Sequence, residues 1–290
     1  MDNNEVRRAL VRPAEVRESL RRRIGDAQRT LQSPVLSDEA IHRARKDLKR
    51  ARAHLRLLRG VVGKPAYVRE NAALRDAARP LSLSRDAKVM VETVDQLLAR
   101  EQNAARRALL VKMRGLLETS RQTALTHLKT AGGLETSTRT LGEAWGRTAR
   151  LRVRRKRKAV VRGGVEAIYR RARKALADVK SECSAENLHE WRKQVKYLGH
   201  ALEALEPSPQ GRFGKTSKRA NAVAESLGEH HDLVVLQHEV AKLHTHSSAA
   251  RTGLFEELAQ RRRKLEAKAL KEGRSLFAKQ PKAFVKRLAI

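Results

Sequence analysis

Ile41-His42-Arg43-Ala44-Arg45-Lys46-Asp47-Leu48-Lys49-Arg50 and, 147 positions later, Leu188-His189-Glu190-Trp191-Arg192-Lys193-Gln194-Val195-Lys196-Tyr197 are two versions of one pattern. In each, His, Arg, Lys and Lys recur at i, i+3, i+4 and i+7, which at helical pitch forms a single stripe. Apolar residues take the opposite side: Ala44, Leu48, Ala51, Leu55 and Leu58 in the first copy, Trp191, Val195, Leu198, Leu202 and Leu205 in the second. Such a helix buries one face and offers the other to something negative. Ser37-Asp38-Glu39-Ala40 and Ser184-Ala185-Glu186-Asn187 precede the two copies and supply the small polar and acidic residues that a helix start prefers.

Outward from these helices the chain reads as helical almost throughout. Ala, Leu, Arg, Glu and Lys dominate, and no alternating strand pattern appears. Breaks are expected at Gln32-Ser33-Pro34, Gly63-Lys64-Pro65, Arg79-Pro80, Ala131-Gly132-Gly133, Gly163-Gly164, Pro207-Ser208-Pro209 and Ser247-Ser248. The duplication continues. Arg21-Arg22-Arg23 stands opposite Ile168-Tyr169-Arg170, and Leu81-Ser82-Leu83-Ser84-Arg85-Asp86 opposite Leu227-Gly228-Glu229-His230-His231-Asp232, the latter with the offset slipped by one. Each half ends in a long charged helix, roughly 101–128 and 250–276. The expected fold is all-α, with two pseudo-symmetric four-helix bundles over about 14–131 and 163–290 and a basic connector over 132–162. A pseudo-twofold between the bundles brings the two stripes face to face across a basic central groove.

Composition narrows the partner. There are 64 Lys and Arg against 32 Asp and Glu, a formal charge of +32, with a sequence pI near 11.3. Self-repulsion of that size points to a polyanionic partner. Nucleic acid is the default, with anionic membrane, acidic protein and inorganic polyphosphate as rivals. Aromatics are only 3% of residues, so few stacking platforms for single-stranded nucleic acid are available. Cys183, the sole cysteine, excludes an internal disulfide and fits a reducing cytoplasm. The start, Met1-Asp2-Asn3-Asn4-Glu5, has no apolar run behind it, so no secretory signal is expected. No stretch reads as a membrane span.

The leading candidates for anion contact are His42, Arg45, Lys46 and Lys49 with His189, Arg192, Lys193 and Lys196. Arginine grips phosphate oxygens with a fork, lysine supplies a mobile charge, and histidine adds a ring donor. Arg52 and Arg56 prolong the first stripe, while His200 prolongs the second and Glu203 interrupts it. On the preceding helices, Arg23 and Arg170 are expected to flank the groove, with Arg22 and Arg173 as weaker candidates. Lys215, Lys218 and Arg219 form a further possible row. The connector, dense in Arg150, Arg152, Arg154, Arg155, Lys156, Arg157 and Lys158, reads either as a solvated basic linker or helix, or as an accessory phosphate-binding arm.

His230-His231-Asp232, His238 and His244-Thr245-His246 read as a cluster at a helix end and the following loop. They lack metal-site spacing, so no metal or other cofactor is expected. Asp86 and Asp232 are better suited to bracing cations. No phosphate-cradling Gly-rich loop or nucleophile elbow occurs, and the stripes carry no carboxylates for Mg²⁺, so no catalytic residue is assigned. Trp145 and Trp191 are read as core.

The paired His-x-x-Arg-Lys-x-x-Lys helices, with the Arg85-Asp86 and Leu227-Gly228-x-x-x-Asp232 segments, resemble the CHAD family, the conserved histidine α-helical domain. The similarity runs from about Arg17 to the last helix. It implies two four-helix bundles, non-enzymatic binding of inorganic polyphosphate in a basic central groove, and residence at polyphosphate granules in the cytoplasm. By position it implies that the eight stripe residues touch ligand, with Arg23 and Arg170 following. His231 and Glu203 depart from the family pattern. No triphosphate tunnel domain, a frequent fusion partner of such domains, is seen. Two other readings stand beside this one: a basic helical protein binding DNA or RNA non-specifically, and a polyphosphate or triphosphate hydrolase.

Overall fold

The computed structural model describes residues 12–153, 158–205, 211, 213–243 and 248–288, with the side chains of 158–160 left aside. Among the described residues there are eleven helices and no strand. They are α1 (Pro13–Leu31), α2 (Asp38–Leu57), α3 (Lys64–Ala78), α4 (Pro80–Leu98), α5 (Ala104–Thr130), α6 (Gly133–Ala149), α7 (Lys158–Ser181), α8 (Ala185–Leu205), α9 (Gly214–Ala241), α10 (Ser248–Leu276) and α11 (Pro281–Arg287). The two stripe helices start where their serines predict. The Ser37 and Ser184 hydroxyls accept from the backbone N–H groups of Ala40 and Asn187 at 3.2 and 3.1 Å, satisfying donors that a helix start leaves open. Proline at the first turn of α1, α3 and α4 fits the same economy, since its missing N–H has no helical partner there.

Two expectations are corrected, those for Gly163-Gly164 and Trp145. The expected connector contains a full helix, α6, packed on α1 and α3. It buries Ser137, Leu141, Ala144 and Thr148 on one face, and its Arg147 reaches the fully buried Glu70 at 3.0 Å. Helices α1–α5 fall in the first expected repeat and α7–α11 in the second, so α6 lies between them. Arg150 and Arg152 are exposed, while Arg154, Arg155, Lys156 and Arg157 lie outside the described residues, as do Pro207-Ser208-Pro209. Gly163-Gly164 is no break: α7 runs through both. A Cβ on Gly164 would sit 2.6 Å from the Leu57 carbonyl oxygen, so glycine is needed there for α7 to approach the end of α2. Trp145 is 44% exposed rather than core. The Arg21 guanidinium stacks over it at 4.4 Å.

Two separate apolar cores hold the helices. The larger joins both halves: Leu20 and Ile24 of α1, Leu48 and Leu55 of α2 and Leu74 of α3 belong to one cluster with Tyr169 of α7, Trp191 and Leu202 of α8 and Phe284 of α11. Trp191 fills its place because position 273 on α10 is glycine; a Cβ there would come within 2.4 Å of the indole. The smaller core is made by Met90 and Val94 (α4), Leu110 and Met113 (α5), Leu233 and Leu236 (α9) and Leu254 and Leu258 (α10). Burial of apolar area at about 25 cal/mol per Å² is the driving term for both.

The two stripe helices pack on one another. Their contact is reciprocal. Arg50 meets Glu203 at 3.6 Å, and the Arg56 guanidinium covers the Tyr197 ring at 3.5 Å. Positions 197 and 203 are the counterparts, 147 residues on, of 50 and 56.

Candidate functional site

Beside this crossing, the middle turns of α2 and α8 bring Arg45 and Lys49 within electrostatic reach of Arg192 and Lys196. Burial against the surrounding walls, and then the charges of Lys196, Arg45 and Arg192, push the Lys49 ammonium down to about 7. Lys196 is pushed down to about 8, by burial first and then by Arg192. The Lys49 side chain nonetheless remains exposed to solvent. A solvent-reached ammonium with protein on several sides, crowded by like charge, is a site short of negative charge.

Helices α4 and α9 complete the surroundings with Arg85, Asp86, His231 and Asp232. Arg45 donates to the Ser82 hydroxyl at 2.6 Å and to Asp86 Oδ1 at 3.4 Å, so its fork is held in place before any ligand arrives. Arg192 is positioned differently: it lies over Gly228, where a Cβ would come 3.1 Å from a guanidinium nitrogen. The Nε atoms of both arginines are buried without a hydrogen-bond partner. Asp232 feels Arg192 and Lys196, but burial dominates and raises its pKa.

The stripe histidines border this cluster. His42 is held below its ordinary pKa by burial and then by Arg85, Lys46 and Lys49. His189 is held down by burial and then by His231, whose ring lies 4.8 Å away. Both imidazoles are therefore neutral at pH 7 without ligand. A bound polyanion reverses that balance by favouring the charged form.

The structure does not gather every candidate here. Lys46 and Lys193 stand exposed at the edge, Lys193 paired with Glu190. Arg52 and Arg56 lie farther along α2. Arg56 covers Tyr197, and Arg52 donates to Asn71 at 3.3 Å. Arg23 does not flank the cluster; it pairs at 3.0 Å with Asp47, which lies about 200° around α2 from Arg45. Arg170 does not mirror it, because the counterpart of Asp47 is Gln194, and Arg170 turns to Glu166 instead. Arg22 is exposed on α1 on the His54 side. Arg173 donates to the Phe277 carbonyl, and Arg219 faces α10 through Ser275 and Glu272. Lys215 and Lys218 are exposed on the first turns of α9.

His230 and His231 sit in the middle of α9 rather than at a helix end, and His230 is tied to Glu266 at 2.7 Å. His244 and His246 lie outside the described residues. The sequence patterns that include Arg85, Ser82, Gly228 and Tyr197 gave none of them a place at the site. A signal for the first was present, since Arg85 and His231 occupy matching places in the repeat.

The two depressed lysines set a pH dependence. A lysine whose folded pKa lies below its unfolded value of about 10.4 costs stability while charged, and that cost is relieved as pH climbs from the folded to the unfolded value. With folded values of about 7 and about 8, the ligand-free protein should gain stability from about pH 7 towards pH 9–10. The slope should flatten in a Lys49→Met/Lys196→Met variant. Thermal unfolding in buffers of matched ionic strength measures both; a wild-type slope unchanged in the variant would remove these lysines as its source.

Fold and site together define an all-helical protein with a pre-formed cluster of cations suited to an extended anion. The chain matches the CHAD domain family over residues 18–241, most of its length, and belongs to that family. Among solved structures it is similar to PptA from Streptomyces chartreusis, with 15% identity and a TM-score of 0.65 over 92% of this chain and 99% of that one. It is also similar to the CHAD domain from the plant Ricinus communis, with 22% identity and a TM-score of 0.66 over 93% and 92% of the two chains. At these identities the likeness is one of fold. No curated protein matches the sequence. Among the described residues, no helix is long and apolar enough to cross a membrane.

Proposed function

We propose that this protein binds inorganic polyphosphate without transforming it, and that this binding carries it to polyphosphate granules. The observation that supports the reading best is the meeting of Lys49 and Arg45 with Lys196 and Arg192, four cations from two copies of one motif on a single solvent-reached site. Membership of the CHAD family points the same way. A linear chain of phosphates offers repeated oxygens to repeated cations, and it has no bases to accommodate. His42, Lys46, His189 and Lys193 extend the contact at either edge. The pre-held Arg45 fork pays little ordering entropy on binding.

Competition tests the reading. Long-chain polyphosphate should displace labelled duplex DNA from the protein at equal phosphate concentration, with DNA unable to do the reverse. Displacement of polyphosphate by DNA would assign the site to nucleic acid. Release of orthophosphate in Mg²⁺, lost in a Lys46→Glu/Lys193→Glu variant, would assign it to hydrolysis.

A further inference from the structure

Farther along α2, where it packs against α3, α7 and α8, a second group of cations gathers around two buried tyrosines. The Arg56 guanidinium covers the Tyr197 ring at 3.5 Å, and the Arg52 guanidinium lies 5.9 Å from the same ring. One turn on, Arg59 lies 5.0 Å over Tyr67 of α3. Arg171 of α7 brings a further charge within electrostatic reach of Arg56. Tyr67 and Tyr197 are buried, Arg52 and Arg56 half-buried, and Arg59 and Arg171 exposed. The arginines therefore stand over an aromatic floor and remain within reach of water.

Little negative charge answers them. Among the described residues, Arg52, Arg56, Arg59 and Arg171 form no ion pair with a carboxylate. Arg56 donates to the Arg52 carbonyl at 3.2 Å and Arg52 to the Asn71 side-chain oxygen at 3.3 Å, both neutral acceptors. Asp76 feels Arg52, but it is bonded to Arg75 at 2.9 Å. Burial lowers the Arg56 pKa; Tyr197 and Tyr67 oppose this, while Arg52 and Arg171 add to it. A guanidinium held over a ring face keeps its N–H donors at its edge, open to an acceptor. Nor does this group belong to the duplicated motif. The counterparts of Arg52, Arg56 and Arg59, 147 residues on, are Gly199, Glu203 and Glu206, and Arg171 answers to Ile24. The central cluster repeats in both halves of the chain; this one has no twin.

We infer that Arg52, Arg56, Arg59 and Arg171 form a second anion site, for a compact and multiply charged phosphate group. A free oligophosphate and the phosphate tail of a nucleotide share that chemistry. Three arginines within two turns of α2, joined by another from α7, suit an anion that carries several charges in a small volume. Arginine forks meet phosphate oxygens in pairs, which a lysine row cannot do. The site goes beyond the polyphosphate reading and stands without it.

Calorimetric titration tests this in the full chain carrying Lys49→Glu/Lys196→Glu, where the central cluster repels anions. Tripolyphosphate without Mg²⁺ should bind as a single equivalent. Adding Arg59→Glu/Arg171→Glu, at exposed positions, should weaken that binding at least ~30-fold. Adding Lys264→Glu/Lys268→Glu instead, which removes the same charge, should change it less than about threefold. A nucleoside triphosphate that binds more tightly than tripolyphosphate identifies a nucleotide as the source; equal or weaker binding identifies a free oligophosphate. No tripolyphosphate binding, or equal loss from the two added pairs, would overturn the site. Circular dichroism follows the fold, and should the reversed centre unfold the chain, the same comparison in Lys49→Met/Lys196→Met decides. In the otherwise unaltered protein, Arg59→Glu/Arg171→Glu should leave affinity for long-chain polyphosphate within about threefold. A loss there as large as that for tripolyphosphate would merge these arginines with the central cluster and overturn a separate site.

Discussion

Reversing Lys49 and Lys196 together to glutamate should weaken polyphosphate binding at least ~100-fold, while reversing Lys264 and Lys268 should weaken it by less than about tenfold. Both double variants lower the formal charge from +32 by the same amount, so net charge cannot separate them. Position can. Lys49 and Lys196 face each other with Arg45 and Arg192 beside them, whereas Lys264 and Lys268 are exposed on the outer helix α10. Cations held close together act on the same few phosphates, and two carboxylates placed there repel the ligand where its contacts converge. Titration of each variant with end-labelled long-chain polyphosphate, alongside circular dichroism for the fold, measures the difference. Equal losses would mean that a diffuse positive field does the binding and that the cluster has no special standing.

Salt dependence should be nearly as large. Each phosphate neutralised by a cation releases condensed counterions, and for a single-stranded polyanion the logarithm of affinity falls by about 0.7 per contact for each tenfold rise in salt. With Arg45, Lys46, Lys49, Arg192, Lys193 and Lys196 engaged, raising monovalent salt from about 50 to 200 mM should lower affinity on the order of 10²- to 10³-fold. The Lys49→Met/Lys196→Met variant should show a slope shallower by the two missing contacts. A wild-type slope near zero would point to hydrogen bonding without charge neutralisation, which is incompatible with the proposed contact set.

The stripe helices were the most legible part of the chain. Periodicity alone placed Leu48, Leu55, Val195 and Leu202 inside, and each is fully buried. The serine starts of α2 and α8 were equally plain, because capping is local chemistry carried by a few neighbouring residues. The unread features depend on what lies across a contact. Gly163-Gly164 looks like a break until the Leu57 backbone is found against it. Helix α6 was hidden because its buried face is mostly small residues, Ser137, Ala144 and Thr148, and the arginines after it dominate the composition. Arg23 and Arg170 looked equivalent because they hold matching positions. Their partners are not equivalent, since an aspartate at 47 answers to a glutamine at 194. The packing of α4 against α9 rests on a second core whose members come from four helices scattered between 90 and 258.

The mutual contact of α2 and α8, in which position 50 touches the twin of 56 and 56 the twin of 50, is the kind that two identical subunits make across a dyad. Carrying both partners in one polypeptide removes a restriction that identical subunits obey. In a homodimer every substitution appears twice, whereas here either flank can drift alone. The difference is already written at the paired arginines, one leaning on the Ser82 hydroxyl and the other resting on bare Gly228. A site made this way need not grip a ligand alike on its two sides.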